Sequence, residues 1–162
     1  MKVSTTRFGV MEVDDSRAIN LVRGLCGFEL QNRYTLIQQR PGMKFRWLQS
    51  LDEPGLAFVV IEPSAFFPNY EFEISSADAE KIHLKNPEDA LALAIVTIGR
   101  DGREVTANLA APIVINSKEM IGAQVIVQDN YYSIRQRLVE QRVRESEAPH
   151  DTSSGKIKSK AA

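Results

Sequence analysis

The sequence predicts a mainly β protein: a small, antiparallel, barrel-like domain over residues 1–144 with one or two short helices, followed by a disordered, charged tail over residues 145–162. Three observations support this fold class. Short apolar runs recur about every 8–12 residues, and turn signals separate them. Helical periodicity is confined to brief stretches. Beyond Ser146 the chain is rich in Ser, Lys, Ala and Gly and has no apolar period, which is typical of disorder.

Three runs in the first half of the chain predict a β-meander, with strands over 34–39, 45–51 and 56–61. Pro41-Gly42 and Pro54-Gly55 separate these runs. Because proline presets φ and glycine accepts positive φ, such pairs favour tight turns between neighbouring strands.

The second half of the chain contains one alternating strand over 70–74 and one long hairpin. In the strand, Tyr70, Phe72 and Ile74 are expected to face the core, and Glu71 and Glu73 to face water. The dipeptide at 101–102 is Asp-Gly, which suits a type I′ turn and predicts a hairpin between the runs 91–98 and 104–115. A further strand is expected over 123–128.

Helix is predicted to be scarce: two short helices with one isolated turn between them. Ser75, with Asp78 three residues later, indicates an N-terminal cap for the first helix, over 75–84. Pro87 favours the isolated turn. Ile134 and Leu138 lie four residues apart with charged residues between them, so the second helix is expected over 131–144.

Composition argues against several classes of function. Net charge is −1, residues 1–134 carry 13 basic and 17 acidic side chains, and residues 135–162 carry seven and four. An acidic body with a basic tail favours a basic protein partner over nucleic acid or an anionic membrane. No apolar run approaches the roughly 18–20 residues of a spanning helix, and no signal-peptide pattern is present, so we expect a cytoplasmic protein.

No catalytic or metal-binding constellation is apparent in the sequence. The two histidines, His83 and His150, lie far from a credible nucleophile, and one cysteine with two distant histidines cannot form a zinc site. Cys26 is interpreted as a small apolar turn residue rather than a reactive thiol. We therefore expect no enzyme activity, no metal and no cofactor.

Aromatic residues provide the more informative candidates. Phe66 and Phe67 are adjacent in a predicted loop, where they either cap the open end of the barrel or form an exposed apolar patch. Trp47 fits a core position or the wall of a groove. Phe28 is expected in the core.

Several segments together resemble the FliW family of flagellar assembly factors. The resemblance covers roughly residues 1–138 in order and is carried by Gly24-Leu25-Cys26-Gly27-Phe28-Glu29, Phe45-Arg46-Trp47-Leu48-Gln49-Ser50-Leu51-Asp52-Glu53-Pro54, Leu56-Ala57-Phe58, Ile95-Val96-Thr97-Ile98, Thr106-Ala107-Asn108-Leu109-Ala110-Ala111-Pro112-Ile113-Val114-Ile115-Asn116, Gln124-Val125-Ile126 and Tyr132. Cys26 stands where the family usually has proline, and the tail beyond Arg142 extends past the common pattern.

The resemblance implies a non-enzymatic cytoplasmic factor with two protein partners. One is flagellin before export, and the other is the RNA-binding translational regulator CsrA, which the factor binds and antagonises when flagellin leaves the cell. Under this interpretation a hydrophobic groove formed by Trp47, Phe66 and Phe67 would cover flagellin's amphipathic termini. Glu71 and Glu73 would meet the basic regulator. Oligomeric state stays open in the sequence, and we expect a monomer.

The sequence leaves two questions open: the role of two asparagines in the segments that resemble the family, and one alternative class of function. Asn108 and Asn116 either fix turns through backbone hydrogen bonds or touch a partner. The alternative function is a barrel that holds a small ligand in its mouth.

Overall fold

The computed structural model describes residues 1–128, 132–138 and 156–159, the last of these by its backbone. One α-helix, α1, spans Ser76–Lys81, and single 3₁₀ turns lie at Asp15–Arg17, Pro63–Ala65 and Pro87–Asp89. The strands in chain order are β1 Lys2–Thr5, β2 Gly9–Glu12, β3 Ile19–Leu21, β4 Arg33–Ile37, β5 Phe45–Ser50, β6 Ala57–Ile61, β7 Glu71–Ile74, β8 Ala90–Ile98, β9 Val105–Ala107, β10 Ile113–Asn116, β11 Ile121–Gln124, β12 Gln136–Arg137 and β13 Lys156–Ser159.

Seven strands close into a barrel in the order β10-β11-β3-β4-β5-β6-β8, because β8 pairs back with β10. The predicted meander is β4-β5-β6, and it is antiparallel. The barrel-like prediction is therefore confirmed, with one difference: β11 pairs with β3 in parallel. β9 and β12 extend the sheet beyond β8, and β1 with β2 forms a separate hairpin.

β8 divides the protein into two cores. Leu93 points into the barrel, where it meets Leu48, Val60 and Ile113. Ala90, Ala92, Ala94 and Val96 point outward, where α1 and the chain from Pro63 to Ile74 cover them. Since both faces of β8 are buried, this strand appears in the sequence as an almost continuous apolar run.

The predicted hairpin is present, but its second strand is interrupted. β8 pairs with β9 up to Val96 opposite Ala107, and with β10 from Leu93 opposite Ile113. Between these pairs β8 advances three residues and the other chain advances six, so the segment 108–112 bulges out of the ladder.

The turn of this hairpin is not the type I′ turn that Asp-Gly suggested. Gly99 N–H donates to the Glu104 carbonyl at 2.7 Å and closes a four-residue loop. Gly102 has φ of +71°, but Asp101 does not have the positive φ that a type I′ turn requires. The Asp101 carboxylate instead accepts a hydrogen bond from Arg103 N–H.

The first helix is confirmed and the second is wrong where the structure describes it. Ser75 caps α1 by accepting a hydrogen bond from Asp78 N–H. Residues 132–138 contain β12, which pairs with β9 and protects its open edge. Ile134 and Leu138 lie on either side of β12, and only Leu138 is buried, so their spacing of four does not mark one apolar face. The remainder of the predicted helix lies outside the described residues.

Most of the tail predicted to be disordered, 145–162, also lies outside the described residues. The exception is β13, which pairs in parallel with β7. Its sequence Lys-Ile-Lys-Ser alternates with a period of two, a signal that is too short to be noticed against the polar composition around it.

Two buried tyrosines differ in how their hydroxyls are satisfied. Tyr34 is fully buried, and its hydroxyl has no hydrogen-bond partner among the described residues. Tyr70 is also buried and donates to the Leu109 carbonyl at 2.8 Å. Burial raises the pKa of Tyr34 to about 12, and it raises the pKa of Tyr70 as well.

We expect the same chemical change to have opposite effects at these two positions. Tyr34→Phe removes an unsatisfied hydroxyl and should raise the free energy of unfolding by about 1 kcal/mol, whereas Tyr70→Phe should lower it by about 1 kcal/mol. Urea unfolding at pH 7 measures both. A loss of stability in Tyr34→Phe would contradict this account of its hydroxyl.

The raised pKa of Tyr34 also makes the free energy of unfolding depend on pH. An unfolded tyrosine loses its proton near the ordinary pKa of 10.0, while folded Tyr34 keeps its proton to about pH 12. The contribution of Tyr34 to the free energy of unfolding is therefore complete below pH 10 and is lost between pH 10 and 12. Tyr34→Phe should make this loss smaller.

Candidate protein-binding surfaces

The residues predicted from sequence do not form one site. Phe66 and Phe67 are both buried. They follow the 3₁₀ turn Pro63–Ala65, and Phe66 has helical backbone angles, so adjacent side chains can both point inward. The exposed-patch alternative is therefore wrong. The capping alternative is right that the two rings are buried but wrong about where, because they pack with the outer face of β8 rather than over an open end of the barrel.

Trp47 is half-buried on β5 beneath the N-terminal hairpin. The Arg7 guanidinium lies 4.3 Å from the ring centroid, and the Phe8 ring meets it edge-on at 5.9 Å. This cation–π and aromatic stack fastens the β1–β2 turn to the barrel wall. With both phenylalanines buried elsewhere, the predicted groove of Trp47, Phe66 and Phe67 is not formed.

The two asparagines fix turns, as one of their alternatives predicted. Asn108 Oδ1 accepts from Ala110 and Ala111 N–H at 3.1 and 3.0 Å, and this holds the bulge between β9 and β10. Asn116 is buried; its Nδ2 donates to the carbonyls of Ile82 and His83, both at 3.0 Å. It thereby ties the β10–β11 turn to the end of α1.

The interior of the barrel is a packed core. The residues that fill it are Ile19, Leu21, Leu25, Tyr34, Leu48, Val60, Leu93, Ile113 and Ile115. A barrel of this size is filled by its own side chains, which does not support a ligand held inside it. An open groove of about 640 Å³ lies outside, between the N-terminal hairpin and β4, with Met11, Ile37 and Arg46 among its lining residues.

An acidic edge is formed by β7. Phe72 and Ile74 face inward, Glu73 is exposed and Glu71 is half-buried, as the alternation predicted. The Tyr132 hydroxyl accepts from Glu71 N–H at 3.1 Å and donates to the Glu71 carbonyl at 2.8 Å. β7 is therefore held from one side by a side chain and from the other by β13.

An exposed apolar loop, residues 24–31, was missed by sequence reasoning. Leu30 is 90% exposed and Phe28 is 39% exposed, so the prediction of Phe28 as a core residue is wrong. Phe28 lies at the rim, with its ring edge-on to Phe58 at 5.2 Å. Cys26 is exposed as well. The sequence signal for this surface is the pair Gly24 and Gly27, which indicates a tight loop. The residues in the middle of such a loop project away from the barrel and are not buried.

Hydrogen bonds make this apolar loop rigid. Gly24 has φ of +62°, and a Cβ there would lie 2.5 Å from the Phe28 carbonyl oxygen, so only glycine fits. Phe28 N–H donates to the Leu25 carbonyl at 2.7 Å. Cys26 N–H donates to Gln124 Oε1 at 2.9 Å, and Gln124 Nε2 donates to the Ala111 carbonyl at 3.0 Å. One glutamine thus links the loop to β11 and to the bulge.

Two other kinds of feature are absent from the part of the chain that the structure describes. Among residues 1–128, 132–138 and 156–159, no three His, Cys, Asp or Glu side chains are placed to hold a metal ion. Within the same ranges no helix has the length and apolar character needed to cross a membrane.

The protein is a β-barrel scaffold. Its interior is packed with its own side chains, so the surfaces that a partner could contact lie on the outside. Comparison with known proteins gives the family. The model of the family described as FliW protein matches residues 2–138. The chain therefore belongs to the FliW family of flagellar assembly factors.

Individual relatives agree with this assignment. A flagellar assembly factor FliW from Syntrophus aciditrophicus is 42% identical over 88% of this chain and 90% of its own length. One from Leptospira biflexa is 40% identical over 85% and 91%. A crystal structure of the flagellar assembly factor FliW superimposes with a TM-score of 0.79 at 32% identity, covering 87% of this chain and 99% of that one.

We expect Gly24→Ala and Gly27→Ala to separate conformational strain from a steric clash. Both glycines have positive φ, but a Cβ at Gly27 meets nothing within 4 Å. Gly27→Ala should cost about 1–2 kcal/mol of unfolding free energy, and Gly24→Ala more, because its Cβ also meets the loop backbone. Thermal and urea unfolding measure the difference; equal costs would contradict the geometry described for the loop.

Proposed function

We propose that the protein is a non-enzymatic cytoplasmic assembly factor that binds flagellin before export and also binds and antagonises CsrA. Membership of the family of flagellar assembly factors supports the first role. The observation that carries it is the exposed apolar loop at 24–31, since a loop held rigid by backbone and glutamine hydrogen bonds keeps Phe28 and Leu30 in water at a fixed position.

Flagellin is a fitting occupant for such a surface. Its terminal segments form amphipathic helices in the filament, and before assembly their apolar face needs cover. A rigid apolar patch offers that cover without an ordering cost on the side of the factor. Covering the patch would also explain why large apolar side chains are left exposed on a small domain.

We expect Leu30→Asp to weaken flagellin binding about tenfold or more, because truncating and charging a contact in an apolar interface removes a central part of its energy. Calorimetric titration with monomeric flagellin measures the effect. The matched control is Ile98→Asp, which charges another exposed residue at the far end of β8. Equal affinities for both variants and the natural chain would refute the loop as the contact.

The CsrA role is supported by the acidic edge. Glu71 and Glu73 lie on the outer face of β7, and an acidic face complements a basic RNA-binding regulator. Glu88, exposed on the neighbouring turn Pro87–Asp89, carries the same sign.

We expect Glu71→Lys/Glu73→Lys to weaken CsrA binding about tenfold, and more at low salt, because charge repulsion at an interface acts over a Debye length. The matched control, Glu53→Lys/Glu104→Lys, makes the same change in net charge on two exposed turns. Titration of CsrA into each chain at two salt concentrations measures the effect. If both double variants behave alike, net charge rather than the β7 face determines binding.

A further inference from the structure

One edge of β7 already pairs with another segment of the same chain. Glu71 directs its N–H and carbonyl to the Tyr132 hydroxyl. In an extended strand these backbone groups alternate between the two edges, so Phe72 and Ile74 present theirs to the opposite edge. That edge is where β13 pairs in parallel, from Lys156 opposite Glu71 to Ser159 opposite Ile74.

The register matches opposite charges. Lys156 lies in register with Glu71, and Lys158 with Glu73, while Ile157 is in register with Phe72. The turn Pro87–Asp89 lies against the same segment and contributes two more acidic residues. The edge therefore accepts an extended segment in which basic and apolar residues alternate.

We propose that the β7 edge is a docking site for an extended basic–apolar segment of a partner protein, and that residues 156–159 occupy it in cis as a displaceable competitor. The partner adds a strand to β7 in parallel and places a lysine or arginine opposite each glutamate. The segment lies beyond residue 138, where the family match ends. This inference does not depend on the flagellin proposal, and it shares Glu71 and Glu73 with the face proposed for CsrA.

The pairing of residues 156–159 with β7 is weak enough for another segment to displace it. Four paired residues form a short strand, and isolated two-stranded pairings are marginal in water. Residues 139–155 connect the segment covalently to the barrel, so it competes with a partner segment from within the same chain. A partner segment that binds the same four residues of β7 more tightly, or that is present at a high enough concentration, overcomes the competition, while the free protein keeps a protected edge.

The test uses full-length chains and one probe, a fluorescent peptide with the sequence of residues 153–162. Lys156→Glu/Lys158→Glu should release the chain's own segment, because it places glutamates opposite Glu71 and Glu73. Arg142→Glu/Arg144→Glu makes the same change in net charge outside the paired residues. Polarisation should show about tenfold tighter peptide binding to the first variant than to the natural chain or the second variant, because an occupied edge lowers apparent affinity by its free fraction.

A charge swap tests the location. A peptide with both paired lysines changed to glutamate should bind Glu71→Lys/Glu73→Lys but not the natural chain. Peptide binding that is equal across all chains, or absent in all up to millimolar peptide, would overturn the proposal. A concentration-dependent dimer that Lys156→Glu/Lys158→Glu abolishes would overturn the cis arrangement in favour of a second copy.

Flagellin titration of the same variants separates this inference from the proposed function. The apolar loop carries the flagellin contact, so Lys156→Glu/Lys158→Glu should leave flagellin affinity unchanged whether or not the peptide binds. If flagellin does not bind, the flagellin proposal fails, and the peptide titrations still decide whether the β7 edge is a docking site.

Discussion

The double burial of β8 is the constraint on which the rest of the structure depends. One edge of this strand pairs with β6 and the other with both β9 and β10, and its pairing with β10 closes the barrel. Its inward leucines fill the barrel, and its outward alanines are small enough for a layer of aromatic side chains to approach closely. Charge or bulk introduced on either face between Ala90 and Val96 would disturb a core, so this part of the strand offers no surface for recognition.

The surfaces available for recognition therefore lie on the loops and strands that are attached to the outside of the barrel. The bulge at 108–112, which reconciles the two registers on β8, also supplies the carbonyl that orients Gln124, and Gln124 holds the apolar loop. The position of an exposed surface is thus set by a register offset in the sheet. The acidic edge has a similar origin, because β7 belongs to the covering layer and does not join the barrel sheet.

Local signals in the sequence predicted the local structure. The meander, the β7 alternation and the α1 cap each depend on a few adjacent residues, and all three were correct. What could not be predicted depends on distant pairings: the parallel contact of β11 with β3, the broken second strand of the hairpin, and β12 in place of a helix. The site was predicted less well, because burial of Phe66 and Phe67 and exposure of Phe28 are decided by which faces other segments cover. Only the outward direction of Glu71 and Glu73 followed from local alternation.

The parallel pairing of β3 with β11 has a consequence for the newly synthesised chain. Asn20 meets Ile121, so the partner of β3 on that side is made about 100 residues later. At about 5–20 residues per second, the ribosome exposes an unpaired strand edge for roughly 5–20 seconds before closure becomes possible. The barrel is therefore completed only once β11 has been synthesised, and until then the nascent chain is most exposed to mispairing and to the chaperones that prevent it.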